Sequence, residues 1–482
     1  MPGLNAETGV VGIKIEAVEG VAETIAAAQC GILVEEPEFT IEPKMNQRKP
    51  ARPYMGGIKQ VPGGKSCSMK FKTEIKGSGA VGTAPAWGVA LRCCGFAETN
   101  EAGVKSAYTP NLVGTNIPSC TIKLLKDGKY RTMRGARGTV SCDVEGNGIG
   151  YLAFEFQGVY EAEGDATAPT GIVYETTQPP VLNNADLVLL PYHAQSVNPP
   201  ATYAVHEVLR DGAASNIKLA ISITTTVATD LKVVRARLRQ GGTPAAEVSG
   251  LQMSVMTDVG GDPGALVGTA SRYVKLASIP VTAVAGGEWT DFYFDTPVPL
   301  AGATTYWLVL TGDYTESAVN YVAWQTVACL LAGQRSKFYD AAWAAVALKN
   351  FVFQALSAAE SQLLVAGVSW DLGNTVGLRD NVNDFQGFQG GWVSQRLAVG
   401  KIEPEEELAA NRDFLAELIG QTDLCLLFKL GSVAGNRVYF QMPYTQVVGA
   451  GGWGNRNGVM TRPLDLQYNQ NDGGDDIVIV CR

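Results

Sequence analysis

The sequence predicts a mainly β protein: two strand-rich units, each with one flanking helix, and a β-sandwich inserted into the second. Three observations carry that expectation. Short runs in which apolar and polar residues alternate with a period of two recur along the chain. Glycine and proline number 55 and 23 of 482 residues while charged residues are 18%, a mix suited to turn-rich β structure. One order of elements also occurs twice: extended segment, long polar connection, strand, helix, hairpin, closing strand.

The first unit is read as residues 1–178. Its extended segment is VEEPEFTIEP, followed by the polar connection MNQRKPARPYMGGIKQVPGGK. In the strand CSMKFKTEI (67–75), Met69, Phe71 and Thr73 alternate with Lys70, Lys72 and Glu74, the pattern of a half-buried strand. In PAWGVALRCCGF (85–96), Pro85 suits a first helical turn, and Trp87, Ala90, Leu91 and Cys94 fall at helical spacing. Gly95 follows as a stop. TIKLLKDGKYRTMRG (121–135) reads as a hairpin with Asp127-Gly128 at its tip. YLAFEFQGVY (151–160) closes the unit.

The second unit begins with a strand within 179–194 and resumes over 358–482. VSWDLGNTVGLRD (368–380) is its extended segment, and NDFQGFQGG its glycine-rich connection. WVSQRLAVGKI (392–402) is the strand and NRDFLAELIG (411–420) the helix, with Asn411 or its neighbours as cap and Gly420 as stop. LCLLFKLG and NRVYFQMPY (424–444) form the hairpin, and RPLDLQYNQ the closing strand. Between the two parts, residues 195–357 carry short, regularly spaced strands and little helix, which signals a β-sandwich. VVRARLRQG (233–241) sets Arg235, Arg237 and Arg239 on one face, expected to be solvated, against Val234, Ala236 and Leu238.

Composition excludes several classes of function. A net charge of -9 without a basic block argues against a nucleic-acid reader. Two histidines, His193 and His206, argue against a histidine metal site or relay. The nine cysteines include adjacent Cys93 and Cys94 and no CxxC, so zinc is unsupported and reduced, buried thiols are expected. The first residues lack the charged and apolar regions of a signal peptide, and no apolar run is long enough for a membrane helix.

Tempting motifs fail on context. Gly77-Ser-Gly-Ala-Val-Gly82 matches GxGxxG, but the strand before it alternates with charges, whereas a dinucleotide-binding first strand is buried on both faces. Gly64-Lys65-Ser66 runs into a strand rather than a helix, so it is no phosphate cradle. The acidic turn at 471–476 lacks EF-hand spacing.

The order of several segments resembles a known family. VGIKIEAVEGVAET, VEEPEFTIEPKMNQR, VPGGKSCSMKFKTEIKGSG, APAWGVALRCCGFAET and LAFEFQGVY resemble the major tail tube protein of long-tailed, siphovirus-type phages. DLGNTVGLRDNVN, WVSQRLAVGKIEPE and GDDIVIV resemble the second half of its duplicated form. GDPGALVG and WTDFYFDTPVPLAGATTYWLVL resemble jelly-roll-like sandwiches appended to phage and bacterial surface proteins. No single motif among these is catalytic.

The resemblance implies two tail-tube-type β-sandwich/barrel units, each with a flanking helix, plus an inserted jelly-roll-like β-sandwich that decorates the tube. It implies a structural virion protein rather than an enzyme, with no cofactor and no metal. Three chains would form a pseudo-hexameric ring. Rings would stack head to tail into a conduit for DNA during ejection, assembled in the host bacterial cytoplasm without a membrane. Implied partners are further copies of the chain, the tape measure protein, and the tail terminator and distal tail proteins, with DNA passing unbound. The polar connections are then expected to reach the next ring through Met45, Asn46, Arg48, Lys49, Arg52, Asp380, Asn381 and Asn383. Glu74, Glu403 and Glu405 are the candidates for lumen-facing acids, with a solvated loop or a helix N-terminus as the other reading of Glu403 and Glu405. Trp289, Trp307 and Trp324 of the insert are read first as sandwich core and, as the alternative, as flat aromatic surface for contact with host surface glycans. In the alternation Thr304 to Leu310, one of Tyr306 and Trp307 is expected to be exposed. The alternative reading is a cell-surface or virion adhesin built from carbohydrate-binding β-sandwiches.

Overall fold

The computed structural model describes residues 9–482 apart from 50, 52, 54–56, 112–113, 184, 193–195, 197–204, 210–216, 243, 245–248, 277–278, 280–286, 316, 318, 328–333, 347–348, 359–362, 410–411 and 471–473. The chain is mainly β, with 58% of residues in strands and 4% in helices, as the alternation predicts. It divides into two compact units. One is Met1–Leu187, Leu364–Glu406 and Leu427–Arg482; the other is Val188–Leu363 and Glu407–Leu426.

The first unit opens with β1 (Val10–Ile15), β2 (Glu35–Asn46) and β3 (Val61–Glu74), then helix α1 (Gly88–Cys93). β4 (Phe96–Glu101), β5 (Lys105–Pro110), β6 (Cys120–Lys126), β7 (Lys129–Glu145) and β8 (Tyr151–Asp165) follow. Register on β3 comes from its pattern: Cys67, Met69, Phe71 and Thr73 are buried and the residues between them are not. Phe71 stacks against Phe154 and Phe156 of β8 at 5.3 and 6.0 Å. Trp87 packs at the start of α1 and donates its indole N–H to the Lys76 carbonyl at 2.8 Å. The helix ends at Gly95, whose φ of 102° only glycine adopts freely. Asp127 and Gly128 both have positive φ, 38° and 83°, the type I′ geometry that joins β6 to β7.

The second unit opens with β9 (Val188–Pro191), which belongs to neither sandwich sheet, and continues as a β-sandwich. The sandwich strands are β10 (Val205–Leu209), β11 (Lys218–Thr224), β12 (Thr229–Gly241), β13 (Leu251–Val259), β14 (Asp262–Leu266) and β15 (Glu288–Leu300). β16 (Thr305–Gly312), β17 (Tyr321–Val327), β18 (Ser336–Asp340), β19 (Ala342–Ala345), β20 (Asn350–Phe351) and β21 (Phe353–Ala358) complete them. One sheet runs β10-β17-β12-β15, with β20 on β17 and β21 on β12; the other runs β14-β13-β16-β11-β18-β19. Leu219, Ile221, Leu231, Val234, Phe292, Leu308 and Trp324 belong to the core between them.

The chain then returns through β22 (Val365–Asp371), β23 (Asn374–Asp380), β24 (Phe388–Arg396) and β25 (Val399–Pro404), followed by α2 (Phe414–Ile419). β26 (Leu424–Leu430), β27 (Val438–Ala450), β28 (Gly454–Arg456), β29 (Val459–Thr461), β30 (Leu464–Tyr468) and β31 (Val478–Cys481) end the fold. Three expectations change here. The extended segment 368–380 is two strands, broken where Gly373 takes a φ of 64°; a Cβ there would lie 2.0 Å from the Leu397 carbonyl. The strand expected over 392–402 is likewise two, β24 and β25. The α2 helix groups with the sandwich unit rather than with the second strand-rich copy. Asp413 caps α2, accepting from the backbone N–H groups of Leu415 and Ala416 at 2.9 and 3.0 Å. Asn411 lies outside the described residues.

Four strands of each half share one order. The first half runs β2-β3-β8-β7 and the second β22-β25-β30-β27, within a single sheet. The hairpin partners match as well, since β6 pairs β7 and β26 pairs β27. The outermost strands match again, with β1 on β6 and β9 on β26.

The positive-φ corner of the first hairpin gives a direct check. Gly128→Ala should cost about 1–2 kcal/mol, because a Cβ is strained in this conformation, and the urea midpoint should fall accordingly.

Candidate functional site

The candidate site is a sheet edge. β7 has 17 residues, and its pairing with β6 covers Lys129 to Ala136. Beyond a bulge at Arg134 to Arg137, the same strand receives β22, with Glu145 opposite Gly367 and Ser141 opposite Asp371. The first half is thereby joined to the second by backbone pairing. A second join is made by β31 on β5, with Ile479 opposite Tyr108.

Buried charges lock the first junction. Arg134 spans the bulge and holds both Asp384 carboxylate oxygens at 2.8 Å, Glu161 at 2.7 Å and the Gly20 carbonyl at 2.7 Å. Arg137 donates to Glu19 at 2.7 Å and to the carbonyls of Ile117 and Gly391 at 2.9 and 2.5 Å. Burial acts to raise the Glu19 pKa, but the hydrogen bonds and charges of Arg137 and Arg379 outweigh it and hold the carboxyl below its usual range. Glu16, nearly enclosed, accepts from Ser119, Thr121 and the backbone N–H groups of Gly20 and Gly135.

Directly opposed residues then line up across both halves. One row is Glu74, Tyr151, Asp143, Ser369, Lys401, Asp465, all on the polar face. The row beneath it is Thr73, Leu152, Cys142, Trp370, Gly400, Leu466, Val447, on the buried face. Gly400 is required there: a Cβ would lie 1.9 Å from the Tyr468 hydroxyl. On β3, β8, β7, β22, β25 and β30 the polar face carries Glu74, Asp143, Glu145, Glu155, Asp371, Glu403 and Asp465 against Lys70, Lys72 and Lys401. With Arg134, Arg137 and Glu161 at the bulge, that is eight carboxylates against five cationic groups, net -3. All three lysines are in ion pairs, with Glu155, Glu36 and Asp465.

The sequence-predicted residues distribute unevenly over this frame. Glu74 and Glu403 lie on the polar face. Glu405 sits one residue past β25, bridges to Thr461 and pairs with Arg456 at 3.1 Å. Met45 and Asn46 end β2 and are exposed, as are Arg48 and Lys49 after it. Arg52 lies outside the described residues. Asp380, Asn381 and Asn383 do not form a long arm. Asp380 ends β23 opposite Phe388, and the tip of the β23–β24 hairpin is folded onto its own chain because Asp384 meets the buried Arg134. Asn381 fastens that tip, donating to Gln389 at 2.6 Å and accepting from the Asn383 N–H at 3.0 Å.

The sandwich aromatics are corrected more sharply. Trp307 and Trp324 are fully buried and offer no ring face to a glycan. Trp324 stacks on Phe351 at 4.5 Å and donates to the Val352 carbonyl. Trp307 donates to Asp258 at 2.8 Å. Tyr306 is also buried, at 7% exposure, because β16 is covered on both faces. Trp289 is half-buried with the Arg235 and Arg237 guanidinium groups over its ring at 5.4 and 6.0 Å. The arginine face is no solvated surface at Arg235, which is 1% exposed and paired with Asp291 at 2.8 Å.

His193 lies outside the described residues. His206 is on β10, where burial and then the charges of Arg239 and Arg237 push its pKa down to about 4. GxGxxG forms the β3–α1 connection, with Gly79 and Gly82 at positive φ. Among the described residues, no three His, Cys, Asp or Glu side chains group as metal ligands, and no helix is long and apolar enough to cross a membrane. A scan against models of known protein families finds no match, and no curated protein sequence matches the chain.

Two outcomes follow from these charges. Asp384→Ala should cost about 2–3 kcal/mol, since it leaves a buried guanidinium short of its bidentate partner; equilibrium urea unfolding checks it. The folded His206 pKa lies below the unfolded value, so the unfolded state takes up the proton first. Stability should therefore drop as pH falls from about 6.5 toward about 4, and His206→Gln should flatten that slope in a pH series of thermal melts.

Proposed function

We propose that this chain is a structural virion protein, the tail tube subunit of a long-tailed phage, polymerising into stacked rings that conduct DNA. The carrying observation is the strand order that occurs twice and is joined edge to edge within one chain. The join consumes one edge of each kind and leaves one of each. β2 is the end of the sheet path, the counterpart of β22. Among the described residues β27 pairs with β30 over Thr445 to Ala450, on one edge, where β7 at the same place holds β22 on its other edge. An open edge is a template for a further strand, and head-to-tail addition of copies either closes a ring or continues as a filament.

Three chains, each supplying two wall units, would close such a ring. The polar face then turns toward the lumen, where its net negative charge repels the phosphates of passing DNA over the ~8 Å screening length at physiological salt. The sandwich Val188–Leu363 is read as a decoration carried by the second copy. Contacts with the tape measure, terminator and distal tail proteins belong to the ends of the proposed tube.

Ring averages from negative-stain electron microscopy, with mass from light scattering, test this reading. Hollow rings or tubes with three-fold outer features and a mass of three chains per ring are expected. A folded chain that stays monomeric at every concentration, alone and with pre-formed tube ends, overturns it.

A further inference from the structure

The exposed tryptophan of the second half points to the grip between neighbouring chains, an inference that rests on the proposed ring. We infer that Trp453, on the β27–β28 connection, is the anchor by which one chain holds the next copy of itself. The first half shows what occupies the matching corner. The turn after β7, residues 146–150, is held by its own chain: Gly146 N–H donates to the Ala366 carbonyl at 2.6 Å, and Asn147 N–H to Leu182 at 2.9 Å. Leu182 N–H donates back to Gly148 at 2.9 Å. The inner junction is therefore clasped at its corner by the segment that leads into the second copy.

The corner after β27 is built differently. It runs from Gly451 to Pro463 and carries the β28–β29 hairpin. The hairpin is fastened at its base: Glu406 N–H donates to Met460, Arg462 N–H to Pro404, and Gly451 N–H to Pro463, at 2.8–3.0 Å. Arg456 pairs with Glu405 and Arg462 with Glu406, at 3.1 and 2.6 Å. On this fixed base Trp453 is 70% exposed, flanked by Gly451, Gly452 and Gly454. The other seven tryptophans are buried or half-buried. Val448, Val459 and Met460 beside it are 43–47% exposed. A large apolar ring held out on an anchored hairpin, three residues beyond the end of β27, whose pairing over Thr445 to Ala450 among the described residues is with β30, is a contact awaiting its partner.

The partner is a second copy because β27, the strand that leads into this hairpin, is the counterpart of β7, whose edge β22 fills. The strand suited to it is β2, which arrives with Leu33, 41% exposed, immediately before its first residues. Trp453 would cover that approach as residues 181–183 cover the inner one.

Full-length Trp453→Ala and Trp453→Phe are compared with wild type by sedimentation velocity over a concentration series, with circular dichroism confirming the fold. Trp453→Ala should raise the concentration needed for rings about tenfold or more, and Trp453→Phe should recover part of that. Acrylamide quenching of wild-type fluorescence should fall on assembly, and that fall should be missing from Trp453→Phe. Rings from Trp453→Ala at the wild-type concentration, or unchanged quenching in wild-type rings, overturn the anchor while leaving the ring reading intact. Wild type that never leaves the monomer overturns both.

Discussion

A strand that outlasts its neighbour leaves backbone N–H and C=O groups without partners, and that constraint organises the larger unit. β6 stops covering β7 near Ala136, yet β7 continues to Glu145. Buried peptide groups cannot be left unpaired at tolerable cost. β22 satisfies them, and in doing so brings the distant second half of the chain into the same sheet. The bulge between Arg134 and Arg137 marks the changeover from one partner strand to the other, and there the two arginines turn inward to meet Glu19, Glu161 and Asp384. Without β22 in place, Arg134 would lose the hairpin acid that balances it.

The two faces of the sheet divide the work. The buried row of Leu152, Cys142, Trp370 and Leu466 is continuous across the junction, so the halves share one core rather than abutting as separate domains. The polar row above it is charged but poor in exposed apolar surface. In the sandwich the arrangement is inverted at β16, where both faces are covered and even Trp307 is removed from solvent. Its indole N–H finds Asp258, which is how a buried tryptophan avoids the cost of an unmade hydrogen bond.

Much of this was legible in the sequence, for stated reasons. Alternation fixed which side of β3 faces inward, and Asp127-Gly128 marked the β6–β7 turn because the type I′ corner needs two positive φ values. The doubled order of elements was visible because hydrophobic periodicity survives where residue identity does not. What escaped were features that depend on partners far along the chain. The segment NDFQGFQGG reads as a polar connection because it is rich in glycine and polar residues; the order of this hairpin tip comes from Arg134, some 250 positions away. Arg235 looked solvated because alternation says which face a side chain is on, not whether another element covers that face. Trp453 carries no signal in the sequence, since a single tryptophan among glycines has no periodicity to betray it.

The covalent link between the halves has a kinetic meaning. A junction within one chain forms at a fixed effective concentration, on the order of millimolar for short tethers, so dilution does not open it. In the proposed ring only every second seam would depend on how much protein is present, and closure would need three encounters instead of six. Fusion also releases the two seams from having to be identical. One can be welded by enclosed arginines while the other stays reversible, which lets a growing assembly correct a misplaced subunit before it is trapped.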